Sequence, residues 1–302
     1  MFISIIIPTF NRNEILCRTL SNILKYKHQF NELIIIDQTK SHEPDTTVFL
    51  NDLKEKEYIK YIYINSPNLP NARNIGIDNS SGDIIIFFDD DIEINEHTIP
   101  SHISAFNDNE TGGVTGKVTI AKINNNKKIK DYIKYFLFYF LKKKASYICF
   151  FGILSDFTKN KVLKSDTCIG CNMSFRKETV IKCSAFDSNY TGNAYREDTD
   201  ISVRIRKEGY KIMYVPQASV IHYMTDTGGT RTEPDDNYFY TLFKNQCYFY
   251  LKNFNYSYIH ILLIHFFDII RCIKIKLNAF SLFKNGYNDA RSLKYKSNVY
   301  GG

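Results

Sequence analysis

The chain has 302 residues, 44% of them hydrophobic and 24% charged, with a formal net charge of +7. This suits one large domain, or a domain with an appendage, and excludes a disordered or fibrous chain. Seven cysteines, an odd and sparse set, argue against a paired disulfide framework and favour a reducing, cytoplasmic setting.

The opening Met1-Phe2-Ile3-Ser4-Ile5-Ile6-Ile7-Pro8 has no basic segment and breaks too soon for a signal peptide. Phe2 to Ile7 is an apolar, β-branched run stopped by a proline, the pattern of a buried strand. From Asn11 to Tyr26, the residues Ile15, Leu16, Leu20, Ile23 and Leu24 recur at helical spacing, and Leu33 to Ile36 forms a second buried strand ending at Asp37. A helix over 45–56, a strand over 58–64 and a helix over 71–79 follow. Ser81-Gly82 then turns the chain into a fourth strand, 83–88, which runs straight into Asp89-Asp90-Asp91. Strands alternating with helices predict an α/β fold with a mostly parallel sheet flanked by helices, whose ligands sit beyond the carboxyl ends of the strands. Asp37 and the Asp89–Asp91 run both lie at such ends.

The middle of the chain is less regular. Asp131 to Phe151 holds an aromatic run, Tyr135 to Leu141, followed by Lys142-Lys143-Lys144, and reads either as an insertion packed on the sheet or as an interfacial segment. A helix with a charged start falls within 192–209. Lys211 to Val215 is a strand closed by Pro216, and Ala218 to His222 is a further strand. Past Gly228-Gly229 the chain becomes aromatic, basic and helical. Tyr258 to Ile270 is apolar nearly all round, and Arg271, Lys274 and Lys276 follow it. No run approaches eighteen apolar residues, so no simple membrane span is expected. The charge is asymmetric: residues 1–120 hold 10 basic and 17 acidic residues, net −7, and residues 121–302 hold 29 and 15, net +14. A basic second half suits an anionic membrane surface or a phosphorylated substrate, or is simply a solvated lysine-rich face. The acidic first half and the lack of a nucleic-acid motif exclude nucleic acid as the partner.

Three consecutive carboxylates repel one another and are tolerated only when solvated or neutralised by a cation. In an extended chain Asp89 and Asp91 share one side and Asp90 the other. Such hard oxygen ligands suit Mg²⁺ or Mn²⁺. Arg196-Glu197-Asp198-Thr199-Asp200 opens the charged helix, where acids also serve as dipole partners and Asp198 or Thr199 as caps. His222 ends an apolar strand, and Gly228-Gly229-Thr230-Arg231 pairs a flexible turn with a phosphate-binding type of side chain. Cys168 and Cys171 have zinc-knuckle spacing but no second pair, and read as reduced thiols.

The ordered set Pro8-Thr9-Phe10-Asn11-Arg12, Asp37, Asn71-Ala72-Arg73-Asn74-Ile75-Gly76, Asp89-Asp90-Asp91 and Glu197-Asp198-Thr199-Asp200, with Arg204 and Gly209-Tyr210, resembles the family 2 glycosyltransferases over roughly residues 1–225. The resemblance implies a GT-A fold, a nucleotide-diphosphate-sugar donor and inversion at the anomeric carbon. It implies a catalytic domain over 1–225, split near 120 into donor and acceptor halves; the change of composition past Gly228-Gly229 marks 226–302 as a mobile loop and helical extension. Pro8, Thr9 and Arg12 would border the nucleotide, Asp37 the base and Arg73 the diphosphate or base. Asp89 and Asp91 would be the metal-binding pair, with Asp90 beside them, and His222 would complete the shell around Mn²⁺ or Mg²⁺. Asp198 would be the catalytic base with Glu197 next to it. Gly170, Asn172 and Arg176 would border donor sugar and acceptor, with Arg231 adding positive charge.

Gln38 stands where the family often has a second acid, which leaves uridine, thymidine and guanosine open, with UDP the first expectation. The acceptor would be a saccharide or a lipid-linked saccharide in cell-surface polysaccharide or glycolipid synthesis, met by a peripheral enzyme at the inner face of the membrane. A glycoside hydrolase is disfavoured, because it needs two carboxyl groups flanking one bond rather than a cluster. The alternative of another class is a non-catalytic nucleotide- or carbohydrate-binding subunit.

Overall fold

The computed structural model describes residues 1–121, 143–149, 152–225, 228–229 and 234–299. Most of the aromatic run near 131–151, and Arg231, lie outside these residues. Nine strands form one sheet in the order β3-β2-β1-β4-β10-β6-β11-β5, with β9 also paired to β11. The strands are β1 (Ile3–Thr9), β2 (Glu32–Asp37), β3 (Lys60–Tyr63), β4 (Ile84–Phe88), β5 (Ile92–Ile94), β6 (Thr111–Ile120), β9 (Leu163–Ser165), β10 (Asn172–Arg176) and β11 (Lys211–His222). A separate hairpin pairs β7 (Ser146–Cys149) with β8 (Gly152–Ser155).

The first four strands of the order are parallel, as their alternation with helices α1 (Glu14–Leu24), α2 (Pro44–Glu55) and α3 (Leu69–Asp78) requires. Beyond β4 the directions mix, with β10 antiparallel to both β4 and β6. β1, β2 and β4 are buried along almost their whole length, because helices cover both faces of a parallel sheet. Alternate residues therefore feed two cores. Ile5, Ile7, Ile35, Ile86 and Phe88 join one, and Ile6, Ile34, Ile36, Ile85 and Phe87 the other. Gly76 lets α3 lie close on β1, since a Cβ there would come within 2.5 Å of Ile6 Cγ2. That approach carries Arg73 beneath the end of β4.

Pro216 does not close a strand. β11 runs through it to His222 with an irregularity between Val215 and Val220 in its pairing to β6. Proline lacks the N–H that the ladder needs, so it sits where the ladder is already broken. The short α4 (Thr98–Ser104) packs across β6 and β11, α5 (Lys177–Lys182) follows β10, and α6 (Glu197–Lys207) carries the acidic motif.

The C-terminal region is helical: α7 (Asp236–Phe254), α8 (Tyr258–Ile264), α9 (Phe266–Lys274) and α10 (Ala279–Val299). These helices share a core of Phe243, Tyr248, Phe249, Ile261, Ile269 and Phe283 with Tyr190 and Val203 of the preceding region. A buried polar knot fixes them to α6. Asp200 accepts from Arg204 Nε at 2.8 Å, Lys252 Nζ at 2.9 Å and Asn253 Nδ2 at 2.8 Å. Among the described residues no helix is long and apolar enough to cross a membrane.

Candidate active site

Three chain segments converge where the strands end. The chain leaving β1 turns through Phe10 and Asn11, whose φ of 52° is left-handed; the Asn11 N–H donates to Thr39 Oγ1 at 2.8 Å. The three aspartates following β4 alternate as the sequence predicts. Asp90 points away from its neighbours, accepting from Thr9 Oγ1 at 2.7 Å and pairing with Arg12 Nε at 3.3 Å. Burial raises its pKa to about 7, with Arg12 and Thr9 opposing that rise. Asp89 and Asp91 point the other way, toward His222 at the end of β11. His222 Nε2 lies 2.8 Å from Asp91 Oδ1 and 3.9 Å from Asp89 Oδ2.

One ligand atom from each of Asp89, Asp91 and His222 falls within a span of 4.8 Å. Two carboxylates and an imidazole at that spacing fit Mn²⁺, or Mg²⁺ with several waters retained. Asp91 is anchored from three further directions. Arg12 Nη2 lies 3.4 Å away, the Thr225 N–H donates to it at 3.3 Å, and its own carbonyl accepts from Tyr223 N at 2.9 Å. Arg12 also bonds Thr225 Oγ1.

The catalytic-base candidate is linked to the same carboxylates through Gly170 and Arg73. Asp198 is half-buried in the first turn of α6. Its Oδ2 accepts from Gly170 N at 2.9 Å and its Oδ1 from Thr199 N at 2.6 Å. The position before the helix is Arg196, left-handed at φ 80° and without a side-chain cap, so neither Asp198 nor Thr199 is the cap. Arg196 Nη2 donates to Gln246 on α7 at 3.2 Å, a tie between the extension and the catalytic turn that the sequence did not suggest.

Arg73, only 1% exposed, joins the two carboxylate groups. It is ion-paired with Glu197, lies 3.8 Å from Asp89 and donates to Gly170 O at 3.1 Å. Burial raises the Glu197 pKa to about 7, against the lowering effect of Arg73. A Cβ at Gly170 would stand 3.0 Å from Arg73 Nη2 and 3.4 Å from Asp198 Oδ2, so a side chain here would crowd the Arg73 guanidinium.

Other predicted residues sit apart from this cluster. Asp37 is fully buried and occupied, accepting from Thr39 N at 2.7 Å and Tyr61 Oη at 2.8 Å and pairing with His42 Nε2 at 2.5 Å. His42 was missed because a lone histidine in a loop carries no pattern. Gln38, not Asp37, faces the cleft. Asn172 is fully buried, and its amide donates to Ala218 O at 2.8 Å and Lys117 O at 3.2 Å. Arg176 pairs in register with Ile84, at the opposite end of β4 from the aspartates. Its guanidinium donates to Phe106 O and Thr111 O, and four residues of strand, about 13 Å, separate it from the site. All seven cysteines are free thiols, Cys168 and Cys171 buried with their pKa values pushed up by desolvation.

A cleft of about 280 Å³ opens over Asp89–Asp91, bordered by Pro8, Thr9, Arg12, Gln38, Asn68, Gly192 and Gly229. The Gly229 N–H donates to Phe10 O at 2.8 Å, which seats the described part of the Gly228-Gly229 turn on its rim. Cleft, acidic floor and sheet order together define a GT-A type of architecture.

Residues 4–182 match the model of glycosyl transferase family 2. The chain belongs to that family. It is 26% identical to a probable glycosyltransferase, YdaM, of Bacillus subtilis over 222 residues, covering 72% of this chain and 49% of that protein. It is 24% identical to poly-beta-1,6-N-acetyl-D-glucosamine synthase of Staphylococcus aureus over 75% of this chain and 51% of that one. The chain thus spans about half the length of these relatives. Among solved structures, TarS of S. aureus with UDP-GlcNAc superimposes with a TM-score of 0.61 at 14% identity, over 96% of this chain and 80% of that chain. The mannosyltransferase PcManGT of Pyrobaculum calidifontis, bound to GDP-Man and Mn²⁺, gives 0.58 at 13% identity, over 99% and 87%. At these identities the superpositions establish the GT-A fold.

Proposed function

We propose that this protein transfers a sugar, with inversion, from a nucleotide-diphosphate sugar, UDP-linked in the first instance, to a hydroxyl of a saccharide or lipid-linked acceptor in cell-surface polysaccharide or glycolipid synthesis. The observation that carries the reading is the clustering of His222 with Asp89 and Asp91 of the cleft lining, linked through Arg73 to the Glu197-Asp198 turn. A structural relative solved with Mn²⁺ and a nucleotide sugar supports it.

Asp89, Asp91 and His222 would hold Mn²⁺ or Mg²⁺, and that ion, when bound, would supply positive charge to the leaving diphosphate. Arg12 adds fixed positive charge at the same edge of the cleft and holds Asp90 and Asp91 in place. Arg73 neutralises Asp89 and Glu197 from beneath, which keeps neighbouring carboxylates from crowding out the anionic donor. Asp198 takes the proton of the acceptor hydroxyl as its oxygen bonds to the anomeric carbon and the diphosphate leaves. The Gly170 and Thr199 N–H groups orient that carboxylate, and a positioned base is worth about 10²–10⁴ in rate. No protein nucleophile is needed, which is why one in-line step inverts the centre.

The test is nucleotide release from UDP-, dTDP- and GDP-sugars with Mn²⁺, with and without EDTA. Turnover of one donor, abolished by EDTA and by Asp91→Ala, is the expected result. Binding of a nucleotide with no turnover of any donor and acceptor would transfer the case to a binding subunit.

A further inference from the structure

Helices α8 and α9 meet at His265, whose non-helical ψ of 1° ends one and begins the other. Its N–H closes α8 on Ile261 O at 3.1 Å, and its carbonyl opens α9 by accepting from Ile269 N at 2.9 Å. The pair is a jointed rod of two short helices over 258–274. Its inner side, Ile261, His265, Ile269 and Cys272, is buried, and the His265 ring lies edge-on to Phe243 and against Phe283. The opposite side is apolar as well. Ile259, Leu263, Phe266 and Ile273 recur at i, i+4, i+7 and i+14, and are 69%, 61%, 55% and 50% exposed. Phe267, Ile275 and Phe280 extend the stripe. The sequence reads this segment as apolar nearly all round, and the fold spends only half of that surface on its own core. Scattered exposed apolar residues are ordinary, but a contiguous stripe marks an interaction surface.

The charges bordering the stripe choose its occupant. From residue 237 to residue 288 the sole acid is Asp268, and it lies half-buried, 3.6 Å from His265 Nδ1 and 3.5 Å from Gln246 Nε2. Arg271, Lys274 and Lys276 are exposed at the C-terminal end of the rod. We propose that this face is a docking surface for an anionic lipid bilayer, with the rod lying in the headgroup layer, its apolar stripe inserted and the three cations on the lipid phosphates. A two-fold contact with a second copy would set the same cations at the rim of both chains with no stripe carboxylate to answer them. The surface locates the proposed transferase but does not rest on its chemistry.

The full chain is sedimented with phosphatidylcholine vesicles, and with vesicles containing about 30% phosphatidylglycerol, at low and raised salt. Wild type should bind the anionic vesicles, weakly at high salt, and the neutral ones little. Lys274→Gln/Lys276→Gln should lower the partition coefficient roughly thirtyfold, at about fivefold per cation near an anionic surface. Leu263→Glu/Phe266→Glu, both at exposed positions, should abolish binding. The UDP-induced thermal shift, read in the same samples, should stay unchanged in both variants. Loss of vesicle binding with the UDP shift intact in wild type would sink the surface alone, whereas the reverse would sink the transferase reading alone. Equal binding to neutral and anionic vesicles, or a wild-type dimer that Leu263→Glu/Phe266→Glu turns into a monomer, would overturn the proposal.

Discussion

His102 provides a stability test that can be worked through from geometry. It is fully buried on α4 between two side chains of β10. Its Nε2 lies 2.8 Å from Asn172 Oδ1 and its Nδ1 2.8 Å from Ser174 Oγ. Since the Asn172 amide is committed to Ala218 O and Lys117 O, its oxygen faces the ring, so Nε2 carries the proton and Nδ1 accepts from the Ser174 hydroxyl. Burial lowers the ring pKa from 6.5 to about 4, a gap worth about 3 kcal/mol. The sign follows from which state takes the proton first. Above pH 6.5 both states are neutral and the full stability is present. As the pH falls below 6.5 the unfolded chain protonates and the folded one does not, so stability drains away until pH 4. His102→Gln costs about 1–3 kcal/mol at pH 7 through lost hydrogen bonds, but its acid limb between pH 6.5 and 4 is shallower than wild type by about 3 kcal/mol. Urea unfolding at pH 7, 6, 5 and 4 on both proteins measures the difference and cancels the other histidines. Parallel curves would refute the argument, because they would mean the ring is protonated in the fold or reached by water.

Three further outcomes follow from the packing and the ion pairs. Gly116→Ala places a Cβ 1.7 Å from Ala218 O and 2.3 Å from Asn172 Nδ2, backbone and a pinned amide that cannot yield, so chemical denaturation should show a loss of about 3 kcal/mol or more. Glu197→Ala leaves the buried Arg73 guanidinium without its main partner and should cost about 3–5 kcal/mol in the same assay; a neutral outcome would show that water or Asp89 compensates it. Asp91→Ala should remove the Mn²⁺-dependent rise in melting temperature while the metal-free protein melts within a few degrees of wild type.

Much of residues 1–120 was legible because the signals there are local. β-branched runs ending in Pro8 and Asp37, and the aspartates after Phe88, fix strands and their carboxyl ends without reference to the rest of the chain. The alternation that separates Asp90 from Asp89 and Asp91 is likewise a backbone property. The partners of those residues come from far away in sequence. Arg12 reaches Asp90 and Asp91 across 78 and 79 residues, and the pairing of Arg73 with Glu197 spans 124. β6 escaped notice because Gly112-Gly113 and Gly116-Lys117 break its β-branched residues into the short pieces Val114-Thr115 and Val118-Thr119-Ile120, and the antiparallel entry of β10 has no sequence signature at all. That entry decides Arg176. Its motif position suggested the site, but the register against β4 carries it to the far end. Asp37 illustrates the other limit, since its position was legible but the closure by His42 and Tyr61 depends on where two loops meet. Tyr258 to Ile270 is apolar nearly all round in sequence, and only the packing of α7 and α10 divides its surface into an inner and an outer face.

In the proposed mechanism Asp198 removes the acceptor proton while other residues hold the donor. Steady-state turnover by wild type and Asp198→Asn, with donor affinity followed in parallel by titration calorimetry with UDP and Mn²⁺, tests it most directly. A fall in kcat of about 10²-fold or more is expected, with UDP affinity unchanged to within about twofold, because in the proposed mechanism Asp198 meets the acceptor and not the nucleotide. A variant that turns over at the wild-type rate, or one that loses UDP binding together with activity, would contradict it.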